Sequence, residues 1–358
     1  MPEVMACTHG ILDPASRFRV LQYVPYLEQA GWRVSHRPSR PPRPLGSDAV
    51  NPLLRRTYIT LARLMQRVSR WRDIRDAPSF DVIFQNRDLL AGDVRWEQRL
   101  YRRNPRVVFD FDDAIFLGPK KHDHIRWICE HAAWVTAGSE YLAAFARQFT
   151  ELVTVLPTVV DVGRYEVKDY GTPPAAVRVG WCGSDRSIRE TLFPHLPMLA
   201  RLQQRFGFEF VIVTRPRPTV PEHGLRWSYV EWSPATEGDL ALHMDIGIMP
   251  LVDDEFQRGK CGAKLLQYMA AGLPSIASPV GSNTNIVRPG ETGLLCGSED
   301  EWARAVEALV RDPEARRRMG LAGRSRCEQH YALRVWLPVW LDILDRVASA
   351  RMRFRRSA

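Results

Sequence analysis

A chain of 358 residues is long enough for two α/β domains, each with its own core, and its 45% hydrophobic and 25% charged composition excludes a disordered or membrane-embedded class. With 50 Lys and Arg against 41 Asp and Glu, the net charge of +9 favours anionic partners such as phosphates or acidic lipids. Nucleic acid is not expected, because no helix-turn-helix, RNP-like or zinc-finger pattern accompanies the charge.

In chain order, Val4–Cys7 reads as a first strand rather than part of a signal peptide, and Val20 to Ala30 closes on Gly31. A Pro- and Arg-rich loop follows from Pro38 to Pro44. Leu54 to Ile74 carries Leu61, Leu64, Met65, Val68 and Trp71 at the spacing of an amphipathic helix. Buried-strand patterns follow at Asp81–Gln85, Arg106–Phe111, Trp134–Thr136 and Val153–Leu156, and the βα alternation predicts a parallel sheet. A polar, proline-bearing stretch around Tyr165 to Ala176 marks the domain boundary. A second series then runs through Val177–Trp181, Phe208–Val213, Trp227–Val230, Ile246–Met249 and Ser275–Ala277, ending in helices over Glu299–Tyr331 and Leu333–Val347. The expected division is 1–168, 169–332 and a terminal helix with a basic tail, 333–358. No stretch reaches the ~20 apolar residues that cross a bilayer. The six scattered cysteines, with neither CxxC nor zinc spacing, suggest reduced thiols in a cytoplasmic protein.

Chemistry concentrates in Asp245–Leu251 and Gly259–Ala277, which read as a strand, a glycine-bearing loop, a helix from Ala263 ended by Gly272, and another strand. The helix N-terminus behind Gly262 would present free N–H groups to an anion, with Lys260 and Lys264 beside it. A plain βαβ crossover with solvated lysines gives the same pattern, so the residues alone leave both readings open.

Gly262, Leu265, Leu266, Met269, Ala270, Gly272 and Pro274 resemble the donor-binding signature of family-4 glycosyltransferases. The resemblance implies a GT-B fold, with two Rossmann-like domains facing each other across a cleft, the N-terminal one for the acceptor and the C-terminal one for a nucleotide-sugar. It also implies a terminal helix that packs back on the N-terminal domain. Two positions depart from the family's Glu-x7-Glu motif: Gly259 replaces the first glutamate and Gln267 the second, where an amide can still bond ribose hydroxyls. Val179 to Ser184, with Gly183 leading into Arg186 and Arg189, resembles the turn that lies under the donor diphosphate, a task suited to the guanidinium fork, with exposed helix charges as the structural alternative for either arginine.

In the N-terminal half, Asp110, Asp112 and Asp113 allow three readings. They fit a metal-holding DxD, the opening strand of a dehalogenase-type phosphatase, or a family-4 strand end at which Asp112 takes the place of a cleft histidine. On the last register Asp112 and Asp113 are the candidate catalytic residues, facing the ligand crevice and orienting or deprotonating an acceptor hydroxyl. Arg17 and Arg19, in the first βα loop, are candidates to contact acceptor or donor, with solvated arginines behind a Ser16 cap as the structural alternative. His122, Asp123 and His124 are too close together to close a ligand set, so no metal is expected. The resemblance implies sugar transfer, with retention, from a nucleoside-diphosphate sugar as co-substrate to a glycan, lipid-linked or small-molecule hydroxyl, without a further cofactor. Alternatives are a metal-dependent phosphatase using Asp110 and Asp112, or a catalytically silent sugar-binding module. Arg63, Arg67 and Arg70 in the long helix, with Arg351, Arg353, Arg355 and Arg356 in the tail, suggest attachment to an anionic membrane surface, with a helix whose arginines merely face water as the structural alternative.

Overall fold

The computed structural model describes residues 1–40, 52–172 and 174–350. The chain divides into two compact units, Met1–Thr158 together with the C-terminal helix from Trp336, and Val159–Val335.

Unit 1 begins with β1 (Glu3–Thr8), α1 (Pro14–Arg19), α2 (Val24–Gln29), β2 (Arg33–Pro38) and α3 (Pro52–Asp76). It continues with β3 (Val82–Asn86), α4 (Arg95–Arg103), β4 (Val107–Phe111), α5 (Pro119–His131), β5 (Trp134–Ala137), α6 (Glu140–Ala146) and β6 (Val153–Val155). The strands form one parallel sheet in the order β2-β1-β3-β4-β5-β6. Helices cover both faces, so β3 and β4 are buried at every position and read as continuous apolar runs rather than alternating ones. The sequence pattern missed β2, an edge strand of polar residues that is only half-buried beside β1.

Unit 2 runs through β7 (Arg178–Cys182), α7 (Asp185–Ser187), α8 (Leu196–Phe206), β8 (Glu209–Thr214), β9 (Trp227–Glu231), α9 (Leu240–His243) and β10 (Ile246–Met249). There follow α10 (Glu255–Arg258), α11 (Ala263–Ala270), β11 (Ser275–Ala277), α12 (Asn283–Ile286), β12 (Gly293–Leu295), α13 (Glu299–Arg311) and α14 (Pro313–His330). Its parallel sheet has the order β12-β11-β10-β7-β8-β9. Trp181, Leu199, Phe210, Ile248 and Trp302 pack in its core. A reciprocal cap starts α13: Ser298 Oγ accepts from the Glu301 N–H, and Glu301 reaches back to the Ser298 N–H. The three-residue β12 also lay outside the sequence reading.

The division falls at Thr158, ahead of the expected 168, because the intervening residues are hydrogen-bonded into unit 2. Val160 exchanges backbone bonds with Tyr331 and Leu333, and the Lys168 N–H donates to Ala271. The last helix, α15 (Leu333–Ser349), begins in unit 2 and continues in unit 1 from Trp336. There Trp340 is buried against Phe84 and Tyr23, with ring centroids 4.7 and 5.7 Å away.

Helix α3 inverts the expected packing. Its buried positions are Gln66, Arg70 and Asp73, whereas Leu61, Leu64, Met65, Val68 and Trp71 are exposed. Main-chain carbonyls hold the inner face: Arg70 donates to Thr8 O (2.5 Å) and Arg37 O (3.3 Å), and also to the Asp73 carboxylate (2.8 Å). Gln66 donates to Leu89 O at 3.4 Å. Arg70, expected on a basic surface, is therefore a buried structural residue. The tail arginines Arg351, Arg353, Arg355 and Arg356, and most of the Pro- and Arg-rich loop, lie outside the described residues.

Candidate functional site

In unit 2 the chain leaves β7 towards β8 on one side and leaves β10 towards β11 on the other, so the loops after these two adjacent strands part at the carboxyl edge of the sheet. Such a switch point opens a crevice in which α/β proteins bind ligands. Beyond β7, a Cβ on Gly183 would stand 2.6 Å from Trp181 Cη2 and 2.8 Å from Lys264 Cε. Glycine is what lets the Lys264 stem cross the turn. Lys264 Nζ then donates to Ser187 Oγ (2.9 Å) and lies 5.1 Å from the Trp181 ring centroid. Ser184 Oγ caps α7 by accepting from the Ser187 N–H (3.2 Å). Gly262 precedes α11 at φ +68°, a conformation that disfavours side chains, and a Cβ there would meet Ile286 Cδ1 at 2.2 Å.

The loop after β10 folds over α7. Lys260 Nζ lies 4.9 Å from the Phe256 ring centroid and 3.8 Å from Glu190, while Arg186 covers the same ring at 5.5 Å and donates to Glu190 at 2.6 Å. Gln267 lies beneath, buried; its amide donates to Glu237 Oε1 (3.1 Å) and its carbonyl accepts from the Cys182 thiol (3.8 Å). Burial pushes that thiol up to about 11, so it stays protonated and able to donate. Gly183, Ser184, Arg186, Lys260, Gly262 and Lys264 thus converge on one corner. Arg189 is exposed and donates to Asp185 of its own turn (2.9 Å), and Gln267 is a buried partner of Glu237. Glu237 escaped the sequence reading because it lies on a short loop turn with no motif around it.

A second constellation occupies the carboxyl edge of the unit 1 sheet. Arg87, just beyond β3, donates to Asp112 Oδ1 from Nε (2.9 Å) and Nη2 (2.7 Å), and to Asp113 Oδ2 from Nη2 (2.6 Å). It is the one non-glycine residue with positive φ (+62°) among the described residues. Its N–H donates to Asp110 O (2.7 Å) and its carbonyl accepts from Gln85 (3.0 Å), so a strained backbone is pinned on both sides. Burial opposes the guanidinium charge, but the two carboxylates outweigh it and hold Arg87 ionised. Asp112 and Asp113 are partly accessible (14 and 24%). Nearby on the same edge, His9 Nε2 lies 2.7 Å from Asp88 O. Its pKa is lowered to about 4 by burial first and then by the charge of Arg40, so the ring is neutral near pH 7.

Two expected site residues are structural instead. Asp110 is wholly buried and accepts from Arg19 Nε (3.1 Å), Arg19 Nη2 (2.5 Å), Asn86 Nδ2 (2.8 Å) and Thr136 Oγ1 (2.7 Å). Arg19 is equally buried, and its remaining nitrogen donates to Leu156 O (2.6 Å). Neither has an edge left for a substrate, which removes Arg19 from the acceptor loop and Asp110 from a phosphatase role. Arg17 is half-buried over the Phe18 ring at 5.2 Å. Asp13, not Ser16, caps α1, accepting from the Ala15 N–H at 3.0 Å. On α5, His124 turns inward to Glu97 (3.1 Å) while His122 meets the edge of Phe145. Among the described residues no group of His, Cys, Asp and Glu side chains is placed to hold a metal ion.

Two doubly wound units, one with a cationic corner at its switch point, define the GT-B class of glycosyltransferase folds. Residues 179–312, within the C-terminal unit, match the family model described as Glycosyl transferases group 1. Over 92 residues the chain is 36% identical to alpha-maltose-1-phosphate synthase of Mycobacterium tuberculosis, a stretch covering 24% of each protein. Over 112 residues it is 31% identical to D-inositol 3-phosphate glycosyltransferase of Nocardia farcinica, covering 31% of this chain and 23% of that one. The chain therefore spans about a quarter of the length of these curated relatives. Among solved structures, a sucrose-phosphate synthase from Thermosynechococcus elongatus superposes with a TM-score of 0.73 at 18% identity, covering 97% of this chain and 98% of that one. Anabaena Alr3699/HepE in complex with UDP and glucose superposes with a TM-score of 0.68 at 15% identity, covering 96% and 100%.

Proposed function

We propose that the protein transfers a sugar from a nucleoside-diphosphate sugar to a hydroxyl acceptor. The observation that carries this reading is Lys264 lying across Gly183 onto Ser187, beside the N-terminus of α11, which gathers positive charge where β7 and β10 part. That charge suits the departing diphosphate, together with Lys260 and Arg186, and performs the task without a metal ion. HepE, captured with UDP and with UDP-glucose, supports a nucleoside diphosphate as ligand. Gln267 and Glu237 meet the ribose by exchanging their mutual hydrogen bond for its hydroxyls. Asp112, held by Arg87, orients the acceptor hydroxyl. Retention of anomeric configuration follows the family-4 resemblance, with Gly259 removing one carboxylate from the sugar's surroundings.

The acceptor on this reading is a glycan or lipid-linked glycan used in cell-surface polysaccharide synthesis, with the enzyme attached peripherally to an anionic membrane on its cytoplasmic side. Six buried free cysteines accord with a reducing compartment. No helix among the described residues is long and apolar enough to cross a membrane. A panel of nucleotide-sugars tested by thermal shift, followed by product analysis, examines the proposal. At least one donor should raise the melting temperature and be consumed. Stabilisation without turnover towards any hydroxyl acceptor would instead identify a silent sugar-nucleotide-binding module.

A further inference from the structure

The inverted helix α3 leaves an apolar ridge in water. Leu61, Leu64, Met65, Val68 and Trp71 recur at i, i+3, i+4, i+7 and i+10, which aligns them along one face, and Leu64 and Trp71 are 56 and 58% exposed. Turning this ridge inward would displace the polar contacts of Gln66, Arg70 and Asp73, so it stays outward while unit 1 keeps its present packing. Exposed Arg56, Arg63 and Arg67 accompany the ridge, and Arg72 and Arg75 adjoin its C-terminal end. The acids of this stretch are already engaged: Asp73 is buried on Arg70, and Asp76 pairs with Arg75 and Arg37.

Helix α4 extends the same surface. Trp71, Ile74, Trp96, Arg99, Arg102 and Arg103 together line a cavity of about 340 Å³. The acid of α4, Glu97, is wholly buried. A surface with an apolar ridge, aromatic rings and a cationic cluster matches the boundary between phosphate headgroups and acyl chains. It does not match a second copy of itself, since two such clusters repel. A ridge of Leu, Met and Val gains nothing against the phosphates of a nucleic acid.

We propose that the α3–α4 face docks on an anionic phospholipid bilayer, with the Leu61–Trp71 ridge entering the headgroup boundary and the arginine cluster holding lipid phosphates. This assigns a face to the peripheral attachment proposed above and rests on it, while the transfer chemistry stands apart. Co-sedimentation of the full chain with phosphatidylcholine vesicles, with and without phosphatidylglycerol, provides the test. Binding should require the anionic lipid and fall as salt rises. Each arginine removed from Arg99, Arg102 and Arg103 should cost about fivefold in affinity, from roughly 1 kcal/mol per basic residue at such a surface. Leu64→Ser with Val68→Ser, at exposed positions that leave folding intact, should weaken binding further at equal charge. If these variants bind as the parent does, attachment lies elsewhere and the face is misassigned. If the parent binds neither vesicle, attachment and face fall together, while transfer to a soluble acceptor still reports on the enzyme. Self-association abolished by the Leu64 and Val68 changes would overturn the proposal in favour of a second copy of the chain.

Discussion

Replacing Arg19 with Met separates a structural arginine from a ligand-binding one. In the parent, Asp110 accepts from two Arg19 nitrogens, Asn86 and Thr136, with no access to water. The substitution leaves a buried carboxylate with two neutral donors, a loss that in comparable pairs costs about 3–5 kcal/mol. Because Asn86 and Thr136 remain, the lower end applies, about 3 kcal/mol. For a unit of this size that corresponds to a fall of about 6–12 °C in its melting temperature. Calorimetry can assign the transition, since a nucleoside diphosphate that binds unit 2 stabilises that unit directly. Adding Asp110→Asn should recover part of the loss, because no charge is stranded, the amide oxygen keeps the Asn86 donor and the amide nitrogen can donate to the Thr136 hydroxyl. The reasoning is wrong if Arg19→Met melts like the parent yet loses transfer, because Arg19 would then be acting on a substrate.

Lys264→Ala should weaken nucleoside-diphosphate binding by roughly tenfold or more, the value of a charge-assisted hydrogen bond, with little change in melting temperature; calorimetric titration with UDP, GDP and ADP would show unchanged affinity for all three if the lysine serves only Ser187. Asp112→Asn should lower kcat while leaving donor affinity within about twofold, as expected of a group that acts on the acceptor; full turnover would return the aspartate to a purely structural partnership with Arg87. His9, lowered to about 4, favours the neutral ring in the folded state, so its contribution is complete above the ordinary imidazole value and drains away as pH falls from about 6.5 towards 4. Between pH 7 and 5 this amounts to about 2 kcal/mol, to which His36 adds in the same direction. His124 works in the opposite one, its burial outweighed by Glu97. Urea midpoints at the two pH values should move less in His9→Gln than in the parent, and an identical slope in both proteins would exclude this histidine as the cause.

The parallel strands and the Gly262–Pro274 stretch were legible because their signals are local: unbroken apolar runs for strands covered on both faces, and glycines where the backbone has no alternative. What failed depended on distant partners. Arg19 looked like a loop arginine until strand β4, 91 residues on, supplied Asp110. The apolar period of α3 marked a helix correctly but not which face is inward, because carbonyls at the ends of β1 and β2 claim Arg70. Arg87 carried no sequence signal at all, since positive φ ordinarily belongs to glycine or asparagine and here is imposed by contacts from Gln85 and Asp110.

The path of α15 also bears on biosynthesis. Tyr23 and Phe84 precede unit 2 in the chain, but the ring that stacks on both, Trp340, emerges from a ribosome only after every strand of unit 2. While translation proceeds, unit 2 has all its strands before unit 1 has its final helix, so the earlier-made sheet waits with an aromatic surface bare. A premature stop shortly before Trp340 would leave unit 2 complete but unit 1 without the ring that covers Tyr23 and Phe84.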